Sequence, residues 1–195
     1  MKAVSIIQAE HRALAAVLHG MLYLVRQIRF GRAQPDFDLL SAMVSYIRTF
    51  PEQFHHPKED TYLFGLLRLR NPAIVPLLDR LQAEHRDSKL KIERVEQALS
   101  RYRQGSSAEF PEFAAAVAAY AAFHWDHMTA EETEVLPLAK DYLIAEDWVS
   151  IDAAFSGHTD PLLGVEAGAE YSKLFRRIVD LAPPPLGSAQ GRGIG

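Results

Sequence analysis

Along the first thirty residues, apolar side chains recur at alternating steps of three and four, at Val4, Ile7, Leu14, Leu18, Met21, Val25 and Ile28, with His11 on the step between Ile7 and Leu14. Such a stripe lies along one face of an α-helix. Gly31 and Pro35 end it, and a second apolar pattern (Leu40, Val44, Ile47, Phe54) begins near Asp36 and runs to about Arg70. Asn71-Pro72 then supplies an N-cap and first-turn proline for a third helix. Its stripe is Leu78, Leu81, Ile92, Val95, Leu99 and Tyr102, with His85 and Ser88 in line. Gly105-Ser106-Ser107 breaks that helix. Ser106 and Glu109 have the spacing of a capping box, and Phe113, Val117, Tyr120, His124, His127 and Glu131 continue a fourth stripe to about Asp141. Four long helices with short connections predict an all-α, antiparallel up-down four-helix bundle over residues 1–143.

Beyond residue 143 the pattern weakens. A short helix near Ile144 to Phe155 and another from about Leu163 to Leu181, preceded by Asp160-Pro161, read as accessory helices packed on the bundle across 144–181. The closing PPPLGSAQGRGIG has almost nothing to bury, so 182–195 is expected to be a disordered tail.

Composition narrows the chemistry. With 195 residues, 48% hydrophobic and 24% charged, a hydrophobic core is attainable in one domain. The net charge of −4 comes without any basic block, which argues against nucleic acid or an anionic membrane as partner. No apolar run approaches the roughly 20 residues of a membrane helix, and the N-terminus lacks a secretory h-region, so a cytoplasmic protein is expected. The absence of cysteine excludes disulfides, thiolate metal sites and a cysteine nucleophile. Chemistry must therefore come from His, Asp, Glu or Tyr.

The pentapeptide QAEHR occurs twice, at Gln8–Arg12 and Gln82–Arg86, and each copy puts its histidine where the stripe calls for a leucine. A buried imidazole needs partners, because an unpaired polar group in a core costs roughly 1–3 kcal/mol. The second and fourth helices contribute a matching pair. HHPKEDTYLFG from His55 and HMTAEETEVLP from His127 align without a gap, pairing His55 with His127, Glu59 with Glu131, and Asp60 with Glu132. Residues four apart lie one above the other on a helix, so each His-x-x-x-Glu can present a nitrogen and a carboxylate to one centre.

Helix lengths place these residues at one height. His11 lies about 28 Å below the top of the first helix and His55 about 27 Å below the start of the second, at about 1.5 Å per residue. The same cancellation holds from Glu59 to His85 across the Asn71 turn, and from His85 to His127. His11, His55, Glu59, His85, His127 and Glu131 are therefore expected to share one layer of the core. The competing reading is a hydrogen-bonded polar layer without metal. Four imidazoles and two carboxylates, with no sulfur, suit iron or manganese and are compatible with zinc. Their number suggests two metals, each with two histidines, bridged by Glu59 and Glu131. Incomplete coordination would leave room for dioxygen, nitric oxide, peroxide or water.

At these residues the sequence resembles the hemerythrin-like (HHE cation-binding) family, over about residues 3–143. The family's lone histidine on the first and third helices and His-x-x-x-Glu on the second and fourth correspond to His11, His85, His55 with Glu59, and His127 with Glu131. The flanks FHHPKED-x-YLF and HM-x-x-EE-x-x-LP are also family-like. The resemblance implies a four-helix bundle with two non-haem irons. Respiratory members carry a fifth histidine, so this six-residue set is closer to that of bacterial iron-cluster repair proteins linked to nitric oxide stress, which usually add a cysteine-bearing N-terminal segment not found here. The expected function is binding or sensing of dioxygen or nitric oxide; the alternative is an enzyme acting on peroxide, nitric oxide or damaged iron–sulfur clusters.

Several residues stay open at this level. His124, one turn before His127, is either a fifth imidazole ligand or a supporting residue. His55 is the aligned ligand, but a shift of one residue would exchange it for His56, which has its own i+4 acid in Asp60. Pro57 should kink the second helix at the site, because it removes a donor and clashes with the carbonyl of Gln53. Tyr62 and Tyr120 either touch a bound ligand or pack the core. Glu10 and Glu84 are candidates to support the ligands from behind. His19 and His158 read as surface or packing residues.

Overall fold

The first helix, α1 (Lys2–Arg29), ends where the chain turns left-handed at Gly31, whose φ is 66°. The amide of Gly31 donates to the Ile28 carbonyl and that of Arg32 to Gln27, a Schellman closure that a residue with a Cβ would strain. In this computed structural model residues 1–105, 107–158 and 160–163 are described.

Helix α2 starts at Phe37, capped by the Asp36 carboxylate accepting from the Leu39 amide at 2.9 Å, and continues to Arg70. It is not uniformly α-helical. After Phe37–Phe50 come a π-helical stretch at Pro51–His55, one α-turn at His56–Lys58, a second π-helical stretch at Glu59–Phe64, and a closing α segment at Gly65–Arg70. Widened turns thus lie on both sides of Pro57, the position at which the sequence leads one to expect a kink. Asn71 accepts from the Ala73 amide at 3.2 Å, and a short 3₁₀ turn leads into α3 (Val75–Gln104). The capping box expected at Ser106 lies outside the described residues. Helix α4 runs through Phe110–Ala130, a π-helical stretch at Glu131–Val135, and Leu136–Tyr142.

Surface ion pairs follow the antiparallel register of α2 and α3: Arg103 meets Asp38, Arg48 meets Glu96, and Arg68 meets Asp79. Arg101 with Glu112 does the same for α3 and α4. Helices α1 and α2 approach so closely at Gly20 that an added Cβ would stand 3.0 Å from the Met43 methyl.

The apolar core is divided in two. One half is built on Leu14, Leu18, Met21, Leu40, Ile47, Ile92, Val95, Phe113 and Val117. The other contains Val4, Ile7, Leu63, Phe64, Leu78, Leu81, Val135 and Leu136. Between them lies a polar layer.

The accessory helix expected near Ile144 to Phe155 is α5 (Ala145–Ser156), which buries Trp148, Ile151 and Phe155. It is tied to the bundle by Asp147, which accepts from Arg70 at 2.7 and 3.0 Å, and by Asp152, which accepts from the Ala3 amide at 2.7 Å. The second accessory helix and the tail expected over 163–195 lie, from residue 164 onward, outside the described residues. No described helix is long and apolar enough to cross a membrane.

Candidate metal centre

All six residues singled out from the sequence are buried in the layer between the two core halves. His11 and His55 bring their Nε2 atoms to 3.1 Å, and His85 and His127 bring theirs to 3.0 Å. Two nitrogens bound to one ion at about 2.1 Å and about 90° apart would stand about 3.0 Å from each other.

Glu59 and Glu131 lie between the two histidine pairs. Oε1 of Glu59 is 3.3 Å from His55 Nε2 and 3.8 Å from His11 Nε2, while its Oε2 is 3.6 Å from His85 Nε2. Glu131 is turned the same way, with Oε2 3.3 Å from His11, and Oε1 3.4 Å from His127 and 3.6 Å from His85. Each carboxylate therefore offers one oxygen to each pair. All four oxygens are buried without a hydrogen-bond partner. An ionised carboxylate left so in a core is strongly unfavourable unless a cation completes it.

The far side of each imidazole is held by a second acid. Nδ1–H of His55 donates to Glu10 on α1 at 2.7 Å, and that of His85 to Asp60 on α2 at 2.8 Å. His127 donates likewise to Glu84 on α3 at 2.8 Å, and His11 to Glu132 on α4 at 2.9 Å. The acids form a closed ring around the bundle, each helix orienting the histidine of the next. A carboxylate on Nδ1 fixes the proton there and leaves the Nε2 lone pair pointing inward, the tautomer a metal requires. Glu10 and Glu84 are the acids of the two QAEHR copies. Asp60 and Glu132 directly follow the inward glutamates.

The electrostatics tell the same story. Burial lowers the His85 and His127 imidazoles, but the surrounding carboxylates outweigh it and push them up to about 9 and about 10. His11 and His55 are raised against burial by Glu131 with Glu132, and by Glu59 with Glu10. Burial raises the Glu131 carboxyl, yet His127, His11 and His85 hold it well below its ordinary range. Protons on imidazoles supply the positive charge that a metal would supply instead.

Two further histidines enter the layer. His56 is buried alongside His55, so both of the adjacent histidines reach the core. The π-helical stretch at Pro51–His55 closes with the His56 amide donating five residues back to the Pro51 carbonyl, and such a widened turn brings adjacent side chains onto one face. His124 is fully buried, with Nε2 2.9 Å from Ser88 Oγ. Burial, then neighbouring imidazoles, holds both rings well below the ordinary histidine value, hence neutral. Ser88 also donates to Glu52, and the Tyr120 hydroxyl is 3.5 Å from the same carboxylate. Glu52 carried no sequence signal, since its role depends on the widened turn. Tyr62 is 39% exposed, and His19 and His158 lie on the surface against Trp125 and Phe54.

Three sets of donor atoms lie within 4.8 Å of one another: His11, His55 and Glu59; Glu59, His85 and Glu131; and His56, His85 and His127. Preoriented imidazole nitrogens with unpartnered carboxylate oxygens, and no sulfur, fit a metal. Comparison with curated proteins and with solved structures finds no match. The family model of the hemerythrin HHE cation binding domain matches residues 2–139. With that match spanning all four bundle helices and their buried His/Glu groups, the chain belongs to the hemerythrin HHE cation-binding family and is a metal-binding domain.

Proposed function

We propose that His11, His55, Glu59, His85, His127 and Glu131 hold two non-haem irons in the bundle core, and that this centre binds or senses a small ligand such as dioxygen or nitric oxide. The observation carrying this reading is the disposition of Glu59 and Glu131, each with one unpaired buried oxygen toward each histidine pair. His11 with His55 would hold one metal and His85 with His127 the other, the two glutamates bridging. Iron held this way supplies reversible one-electron chemistry and open positions for a diatomic ligand. Residues 1–143 would form the metal-binding domain, with α5 bracing its lower end.

The protein's own contribution is orientation and exclusion of water. The four outer acids keep every Nδ1 protonated, and the two apolar core halves close the layer from above and below. Pocket-lining residues His11, Arg12, Trp125, Met128 and Glu132 border a shallow cleft between α1 and α4 that leads from the surface to His11. A small ligand would approach the layer along this cleft.

A second reading, an enzyme reducing peroxide or nitric oxide or repairing iron–sulfur clusters, draws on half-buried Glu52 with buried Ser88 and Tyr120, whose exchangeable protons lie beside the layer. The reduced, iron-loaded protein exposed in turn to dioxygen, nitric oxide and peroxide separates the two. Reversible spectral changes support carriage or sensing. Sustained consumption of reductant supports catalysis.

A further inference from the structure

We infer that His56 is a fifth imidazole ligand, serving the metal held by His85 and His127, so that the two metal positions are unequal. The inference rests on the two-metal reading above and extends it to a residue outside the six. One ring nitrogen of His56 lies within 4.8 Å of the donor atoms of both His85 and His127, and the three residues are all buried. No equivalent third histidine accompanies His11 and His55 among the described residues.

The surroundings of His56 repeat the pattern of the other four rings. Each of those has an acid at Nδ1 and turns Nε2 inward. His56 faces Glu52 with Nδ1, at 3.5 Å from Oε2, and the pair is spaced i,i+4 on α2. Glu52 is itself fixed by Ser88 and Tyr120. At 3.5 Å the contact is too long for a good hydrogen bond, and His56 Nδ1 stands unpartnered in the core. A short movement of the ring toward His85 and His127 keeps Glu52 in reach and gives the other nitrogen a metal to bind. His56 is stacked on His85 at 4.3 Å between ring centroids, so packing holds it at that end of the layer and away from His11.

The contrast with His124 sharpens the assignment. His124 is as deeply buried and its Nδ1 also lacks a partner, but its Nε2 is already engaged by Ser88 and it belongs to none of the three donor sets. On that ground it is not assigned as a ligand.

The test uses full-length protein loaded with ⁵⁷Fe. Wild type should bind two irons and give two inequivalent Mössbauer doublets of equal area. In His56→Ala the doublet of one iron should change or vanish while the other persists, with that iron about 10-fold or more easier to remove by chelator. His56→Gln, which keeps a polar side chain in case the alanine variant does not fold, should show the same selective effect. His124→Ala should leave both doublets in place. Two unchanged doublets in a folded His56 variant, or a single doublet in wild type, would overturn the inference while leaving the two-iron reading intact. A wild type that takes up no metal would instead overturn the reading on which the inference rests.

Discussion

Glu10 on α1 accepts a hydrogen bond from Nδ1 of His55 on α2 at 2.7 Å, and Glu84 on α3 accepts the matching bond from His127 on α4 at 2.8 Å. The doubled QAEHR thus carries two functions per copy. Its histidine faces the centre on its own helix, and its glutamate aims the histidine of the following helix. Removing one such acid leaves the inward ligands in place but frees the ring to rotate and change tautomer. Glu84→Ala is therefore expected to weaken metal binding by about 10- to 100-fold with helical content unchanged, as measured by chelator competition and circular dichroism. Glu10→Ala should do the same for the other pair.

Loss of the two central carboxylates has a different signature. Glu59→Gln combined with Glu131→Gln keeps the shape of the layer but removes both bridging charges. Paired metal binding should disappear while the protein stays folded. Unchanged metal content in the double variant would sink the bridging assignment.

The raised imidazoles make the metal-free protein sensitive to alkali. Folded His85 and His127 titrate near 9 and 10, against an ordinary value of 6.5. Between these limits the folded state binds more protons than the unfolded state, so stability declines as pH rises from about 6.5 toward 10. Bound metal replaces those protons. Thermal unfolding of apo protein should therefore show a falling Tm over this range, and metal-loaded protein a flatter profile. Metal uptake at pH 7 should also release protons, detectable as a buffer-dependent heat in calorimetry.

Gly31 gives a prediction about the fold alone. Its left-handed φ of 66° closes α1, and nothing crowds the site. Gly31→Ala should then cost about 1 kcal/mol from backbone strain, lowering Tm by about 2–4 °C in a domain of this size without altering metal content.

Much of this was legible in the sequence because helical periodicity and helix length are both written there. A stripe interrupted by histidine at His11 and His85 locates the polar layer, and a rise of about 1.5 Å per residue brings all six residues to one height. Glu10 and Glu84 were marked by repetition, and Asp60 and Glu132 by the gapless alignment. His56 stands out only as an alternative to His55, and Glu52 not at all, because a period of 3.6 permits only one of two adjacent histidines to face inward. The π-helical turns change that period locally. Two of the three begin at Glu59 and Glu131 themselves, so the duplication reaches into backbone geometry that side-chain spacing does not report.

The proposed centre holds two metals, one at each histidine pair. Protein produced with ample iron, purified and analysed for metal, should contain about two irons per chain and lose both when Glu59 and Glu131 are replaced together by glutamine. A folded wild-type protein that holds no metal, or the same amount as the double variant, would contradict it.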